Sequence, residues 1–313
     1  MKETAFLLFL ILICGTIPLS AGEKTPIILD SDIGTDIDDA FALALALTSP
    51  EIDLRGVTTV SADAHTRALI ACRMLAAVGR DDVPVAAGRR PRDIPEEKGQ
   101  YRYGLESPSP KRPVAELAPE FLFKQLKQNP GVLTLVAVGD LTNIARLITD
   151  HPEAKPWIKR VVIMGGAVRV GYNGKPPVVW EWNIRSDIKG AQTVFTSGVP
   201  LVVAPLDATT MVKLEQPMRE RIFGSGTPLA AALVTLHKLW GKTTPTLFDP
   251  VAVTLSFNDS FCKMEELRLE VDNEGFTREV TGKANARVAT SIRTDDYLQW
   301  YVERVAGGAV KRP

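Results

Sequence analysis

The stretch Ile27 to Leu47, IILDSDIGTDIDDAFALALAL, joins a strand-like apolar run to a helix-like one through a turn that carries Asp30, Asp32, Asp36, Asp38 and Asp39. Two carboxylates held about 6 Å apart at an effective dielectric of about 20 repel by roughly 3 kcal/mol. A turn that gathers several of them needs a cation, shared protons or strong hydrogen-bond donors, and a divalent metal is the simplest remedy. Helix capping explains Asp36 and partly Asp38, because free N–H groups and the helix dipole favour Asp at a helix start. It does not explain Asp30 and Asp32 at the end of an apolar strand, where open α/β sheets bind their ligands. Spacing excludes a helix-loop-helix calcium loop. Counted from Asp30, Thr35 is sixth and Phe41 twelfth, where that loop requires Gly and a bidentate Glu.

The same alternation continues along the chain. Strand-like runs at Pro26 to Leu29, Leu54 to Val60, Val83 to Ala86, Val132 to Val138, Val161 to Met164 and Leu201 to Ala204 are interleaved with helical patterns at Asp38 to Thr48, His65 to Val78, Thr142 to Ile148 and Asp187 to Phe195. That order predicts an α/β fold, an open and mainly parallel sheet with helices on both faces. Thr227 to Trp240 reads as a further helix, the LRLEV run from Leu267 as a strand, and the C-terminal stretch as a final helix. No repeat or low-complexity linker divides the chain, so one domain over 23–313 is expected. The segment from Gly88 to Pro113 is longer than an ordinary connection and holds Tyr101, Arg102 and Tyr103; it reads as a disordered linker or, the favoured reading, as a lid over a site.

Composition narrows the partners. Lys plus Arg equal Asp plus Glu at 37 each, so nothing favours nucleic acid or an anionic membrane surface, and a small-molecule substrate fits better. Residues 1–22 read as a secretory signal, with Lys2 as the positive end, Phe6 to Ile13 as the apolar run and Ser20, Ala21 and Gly22 as the cleavage region. The run is too short for a comfortable membrane span, so the expectation is export to a periplasm or the exterior without a stable membrane anchor. Bulky Ile13 before Cys14 argues against a lipid-modified cysteine. Cys72 and Cys262 then remain, with no disulfide framework to support folding. The oligomeric state stays open, a homo-oligomer included.

Polar residues recur at the expected strand ends: Asp63 after VTTVSA, Gly139 and Asp140 in VGDLTN, Glu181 to Asn183 after a Gly- and Pro-rich loop, and Asp249 in LFDPVAV. In an open sheet the carboxyl ends of the strands form one rim, so these groups converge on the acidic turn.

At this point the chain resembles the calcium-dependent nucleoside hydrolases, whose signature is a DxDPGxDDA turn after a hydrophobic strand and which here reads DSDIGTDIDDA. GVTTVSAD, VAVGDLTNIARL, VVIMGGA, EWNIRSD, FTSGVPLVVAPLD and FDPVAV match further family blocks in order. The resemblance implies hydrolysis of a ribonucleoside, or another ribosyl compound, to ribose and free base. It implies Asp32 as general base and calcium ligand, Asp39 and Asp249 as carboxylate ligands, and Val138 as a main-chain carbonyl ligand. Asp38, Glu181 and Asn183 match ribose-binding positions and Met164 a residue lining the sugar site. Three carboxylates, a carbonyl, water and two substrate hydroxyls make the all-oxygen shell calcium prefers.

Three departures stand out. The turn has two more residues than the signature between Asp32 and the Asp38, Asp39 pair, so Asp36 competes for one of their roles. Asp63 stands near the ribose where many members have Asn. Phe248 precedes Asp249 where many members carry a His that serves the leaving base. Phenylalanine gives no proton but stacks on a base, which leaves leaving-group help to the aromatics at 101–103, to solvent or to another group, with His65 the nearest histidine in sequence to a strand-end carboxylate. Two rival functions follow: a haloacid-dehalogenase-type phosphatase, from the likeness of ILDSDIGT to its DxDxT motif, and a secreted ribosyl-compound binding protein without turnover.

Overall fold

The computed structural model describes residues 24–89, 99–106 and 109–307. The expected signal sequence therefore lies outside the described residues. Ten strands run in chain order: β1 Thr25–Ser31, β2 Ile52–Thr59, β3 Val85–Ala87, β4 Thr134–Ala137, β5 Arg160–Met164, β6 Leu201–Ala204, β7 Cys262–Leu267, β8 Leu269–Val271, β9 Thr277–Glu279 and β10 Ala286–Ile292. Eight form one sheet in the order β3-β2-β1-β4-β5-β6-β10-β7, parallel throughout except for the β10–β7 pair. The open, mainly parallel sheet expected from the sequence is present.

Period-two alternation explains the two-faced sheet. Ile27, Leu29, Val136, Val162, Met164, Val202 and Ala204 enter one core, while Ile28, Leu135, Ala137, Val161, Ile163, Leu201 and Val203 enter the other. On the first face lie α1 (Asp38–Thr48) and α2 (Ala64–Ala77), followed in the chain by the short α3 (Tyr101–Leu105). On the second lie α4 (Ala118–Gln128) and α5 (Thr142–Asp150). Next come α6 (Trp182–Ser186), α7 (Ile188–Phe195), α8 (Leu206–Thr209), α9 (Gln216–Phe223), α10 (Pro228–Trp240), α11 (Phe248–Leu255) and α12 (Thr294–Ala306). Every residue of α1 is buried, since α10, α11 and α12 pack around it. Its AFALALAL run is apolar on all sides, as such a position requires.

Two sequence expectations change in the folded chain. The β-branched FDPVAV block is helical: Pro250 occupies the first turn of α11, where its missing N–H costs nothing, and tertiary burial overrides strand propensity. The LRLEV run splits between two sheets. Asn285 takes over the backbone of Leu269, accepting from its N–H at 2.8 Å and donating to its carbonyl at 2.9 Å, so the run leaves the main sheet after Leu267.

The strand order reverses direction between β1 and β4, and the crevice outside such a switch point is where open α/β sheets hold ligands. The turn after β1 and the start of the segment after β4 meet there, with Val138 N–H bonded to Asp30 O at 2.8 Å.

Candidate active site

The acidic turn is shaped by backbone before charge. Gly34 has φ +120°, and a Cβ there would come within 2.9 Å of Ile70 Cδ1 and 3.1 Å of the Tyr101 ring. Only glycine fits that conformation in that space. Gly139, after β4, lets the strand end approach Asp32, because a Cβ would sit 3.0 Å from the aspartate Cβ. Gln100 fastens the outside of the turn, donating through Nε2 to Thr35 O at 3.1 Å and Asp36 O at 2.7 Å. Tyr101 and Tyr103 are buried against α2, with the Arg67 and Arg73 guanidiniums over their rings, and neither lines the cavity. The described part of the 88–113 segment thus buttresses the turn and does not lay aromatic faces over the site. Residues 90–98 and 107–108 of that segment lie outside the described residues.

A cavity of about 430 Å³ opens at the switch point. Its lining includes Asp32, Asp36, Asp38, Asp39, Val138, Met164, Glu181, Asn183, Phe248 and Asp249. At its floor, Asp38 and Asp39 in the first turn of α1 meet Asp249 in the first turn of α11, and one oxygen of each lies within 4.8 Å of the others. Two helix N-termini therefore face the trio, a partial compensation for its charge. Asp249 N–H donates to Asp38 Oδ2 at 3.3 Å, and Ser31 Oγ donates to Asp39 Oδ1 at 2.6 Å. Burial pushes all three carboxyls well above the usual range, helped by repulsion from Asp36 on Asp38, from Asp32 and Asp38 on Asp39, and from Asp38 and Asp39 on Asp249. Asp36 is exposed where it borders the cavity, while the adjacent Asp38 and Asp39 are buried on the floor. Asp32 lines the same cavity outside that trio. Burial raises it to about 6, with the Arg67 charge opposing the rise.

Asp30 serves another purpose. Its Oδ1 accepts from Thr58 Oγ1 at 2.6 Å and Asn143 Nδ2 at 2.8 Å, tying β1 to β2 and α5, and burial raises its carboxyl to about 7. Asp63 also faces away from the cavity: its carboxylate caps α2 through Thr66 N at 3.2 Å and Thr66 Oγ1 at 2.8 Å. The wall expected from Asp63 is instead built by Ser61 and Ala62, which carry φ of 70° and 40°. Positive φ outside glycine is strained and persists where surrounding bonds enforce it. Arg67 supplies those bonds, donating to Ser61 O at 3.2 Å, Ile33 O at 3.0 Å and Thr35 Oγ1 at 3.3 Å. Arg67 was not anticipated from sequence. Its signal is an arginine on the buried Ala64, Ala68, Ala71 stripe of α2, where a solvated residue has no place.

The opposite wall comes from the segment after β5. Glu181 caps α6, accepting from Asn183 N and Ile184 N at 2.9 and 3.1 Å and from Gly166 N at 3.0 Å, while burial raises its carboxyl. Asn183 Nδ2 donates to Val138 O at 3.1 Å and Met164 O at 3.2 Å, joining the ends of β4 and β5. Val138 O keeps a second lone pair for a ligand. Phe248 is half-buried at the mouth, and the Tyr172 ring meets it edge-on at 6.2 Å. Tyr172, Trp182 and Lys242 complete the rim. None of the three histidines lines the cavity. His65 is exposed on α2, His151 is bonded to Glu120, and His237 packs against Phe223 and Trp240.

The donor set fits a hard divalent cation: four aspartates and a carbonyl, all oxygen, with the Met164 thioether the one sulfur of the lining and no thiolate or imidazole in it. Among the described residues, Cys72 and Cys262 are free thiols, and neither lines the cavity.

Known proteins share this arrangement of elements. The family model described as inosine-uridine preferring nucleoside hydrolase matches residues 27–299. A pyrimidine-specific ribonucleoside hydrolase RihA of Citrobacter koseri is 33% identical, the match spanning 90% of this chain and 98% of that protein. A probable uridine nucleosidase 2 of Arabidopsis thaliana is 31% identical over 84% and 87% of the two chains. Among solved structures, a purine-preferring ribonucleoside hydrolase from Gardnerella vaginalis superposes with a TM-score of 0.80 at 25% identity, covering 91% of this chain and 99% of the other. This match leaves the phosphatase alternative without support, and the chain belongs to the inosine-uridine preferring nucleoside hydrolase family.

Proposed function

We propose that this N-glycosyl hydrolase cleaves ribonucleosides to ribose and free base with calcium as its metal and Asp32 as its base. The observation that carries the proposal is the buried trio Asp38, Asp39 and Asp249, set beside Asp32 and Val138 O at the switch point of the sheet. Three buried carboxylates within 4.8 Å of one another cannot all be charged without a cation. Calcium bound there supplies the positive charge that acidifies water and holds vicinal hydroxyls. Asp32 accepts the proton of the water that attacks the anomeric carbon. Asp38, Glu181 and Asn183 orient the ribose hydroxyls, and Met164 closes the sugar side. The carboxylates stabilise the oxocarbenium-like charge that develops as the glycosidic bond breaks. Phe248 offers the base a ring face.

The relatives' names point to pyrimidine ribonucleosides, so uridine and cytidine head the test panel, with inosine beside them. Reducing sugar released by the purified protein is measured in calcium and after chelation. Release that disappears with chelation and returns with calcium supports the proposal. Full activity without metal ends the calcium assignment, and tight nucleoside binding without any ribose release would favour the binding-protein alternative. Among the described residues no helix is long and apolar enough to cross a membrane. Export rests on the charged, apolar and small-residue order of residues 1–22, and N-terminal sequencing of the mature protein tests it.

A further inference from the structure

The segment between β5 and α6 places a phenol at the mouth of the cavity and holds it from three sides. Tyr172 O accepts from Thr210 Oγ1 at 2.6 Å, its ring meets Phe248 at 6.2 Å with an interplanar angle of 86°, and its hydroxyl oxygen accepts from Trp182 N at 3.0 Å. With one lone pair taken by that backbone N–H, the hydroxyl keeps its own proton, for which no acceptor is found among the described residues. Of the other donors of the wall, Arg67 and Asn183 are engaged by backbone and neighbouring groups, which leaves Lys242 and the Trp182 indole as the rivals. Arg67 holds Ser61, Ile33 and Thr35, and Asn183 holds Val138 and Met164. Tyr172 is the donor that the structure brings edge-on to Phe248, the ring assigned to the base.

We propose that Tyr172 donates a hydrogen bond to the departing base and so supplies the leaving-group help that a histidine before Asp249 would otherwise give. As the glycosidic C–N bond breaks, its electron pair moves onto the base. The Tyr172 hydroxyl stabilises that charge, solvent protonates the base, and the attacking water gives its proton to Asp32. The oxygen is fixed by Trp182 N–H before substrate arrives, so little reorganisation is needed as the charge develops.

The inference rests on the hydrolase reading, and its test separates the two. Tyr172→Phe keeps the ring and its contact with Phe248 while removing the donor. Turnover of uridine and of p-nitrophenyl riboside, whose leaving group departs without a donor, is compared in calcium for wild type, Tyr172→Phe and Lys242→Met. The expected result is a loss of roughly 10- to 100-fold in kcat on uridine for Tyr172→Phe, with p-nitrophenyl riboside within about twofold of wild type, which also shows an intact fold and metal site. Equal losses on the two substrates would assign the hydroxyl to the sugar or the loop and overturn the proposal. So would unchanged uridine turnover, or a leaving-group-dependent loss in Lys242→Met with none in Tyr172→Phe. Wild type without turnover of either substrate would end the hydrolase reading itself.

Discussion

The floor and the rim of the cavity are made differently. On the floor, Asp38, Asp39 and Asp249 are 2–4% exposed and sit in the first turns of helices packed into the core. On the rim, Tyr172 and Trp182 are 45% and 60% exposed and are carried by a loop and by the start of the short helix α6. The floor tolerates little variation, because moving one carboxylate alters the charge balance of the others. The rim alters its side chains without disturbing the sheet. On the proposed mechanism the floor activates the attacking water, and the rim, Tyr172 included, meets the departing base.

The largest effect should come from the floor. On the proposed mechanism Asp32→Asn removes the base and weakens a ligand together, and kcat on uridine is expected to fall roughly a thousandfold or more. A loss under tenfold would show that another group takes the water's proton.

Stability gives a second handle on the same region. Burial and repulsion from neighbouring carboxylates raise the carboxyls of Asp38, Asp39 and Asp249, so the folded metal-free protein binds protons more tightly there than the unfolded chain does. Such groups lose stability as pH rises from the unfolded value of about 4 through the folded pKa. Measured from about pH 4 up to neutral pH, metal-free protein should therefore weaken, and the rise in Tm on adding calcium should grow by several degrees over that range. A calcium shift that is the same at both ends would place the ion elsewhere.

Weaker effects are expected toward the rim. Phe248→Ala should raise KM for uridine by roughly tenfold and lower turnover, with a smaller turnover loss on p-nitrophenyl riboside. Equal turnover losses would mean that Phe248 serves packing around Asp249. Asp36→Asn should change kcat less than about threefold, because its exposed carboxylate is screened by water. An essential Asp36 beside a dispensable Asp38 would reverse the register assigned to this turn.

Much of the floor was legible in the sequence because its signals are local. An apolar run ending in DSD, followed by a glycine and a DD pair opening an all-apolar helix, sets strand, turn and helix within about twenty residues. The ordered blocks placed Val138, Glu181, Asn183 and Asp249 near that turn. The rim and the supports were less legible. Asp63 looked like a ribose-binding residue by its place after β2, yet its carboxylate is used locally to cap α2. Tyr101 and Tyr103 looked like a lid, yet Tyr101 packs beside Gly34 and Tyr103 lies buried under Arg73 of α2.

The sequence by itself determined the alternation of strands and helices and the presence of more carboxylates than one turn can hold uncompensated, since periodicity and charge are local properties of a chain. Tertiary structure alone decided which carboxylates face one another, that Arg67 reaches Ile33 and Ser61, and that Tyr172 meets Phe248 across 76 positions of chain. Those contacts depend on strand order and on which loops meet at the switch point, and side-chain pairing across such distances is fixed by packing, not by any pattern within either segment.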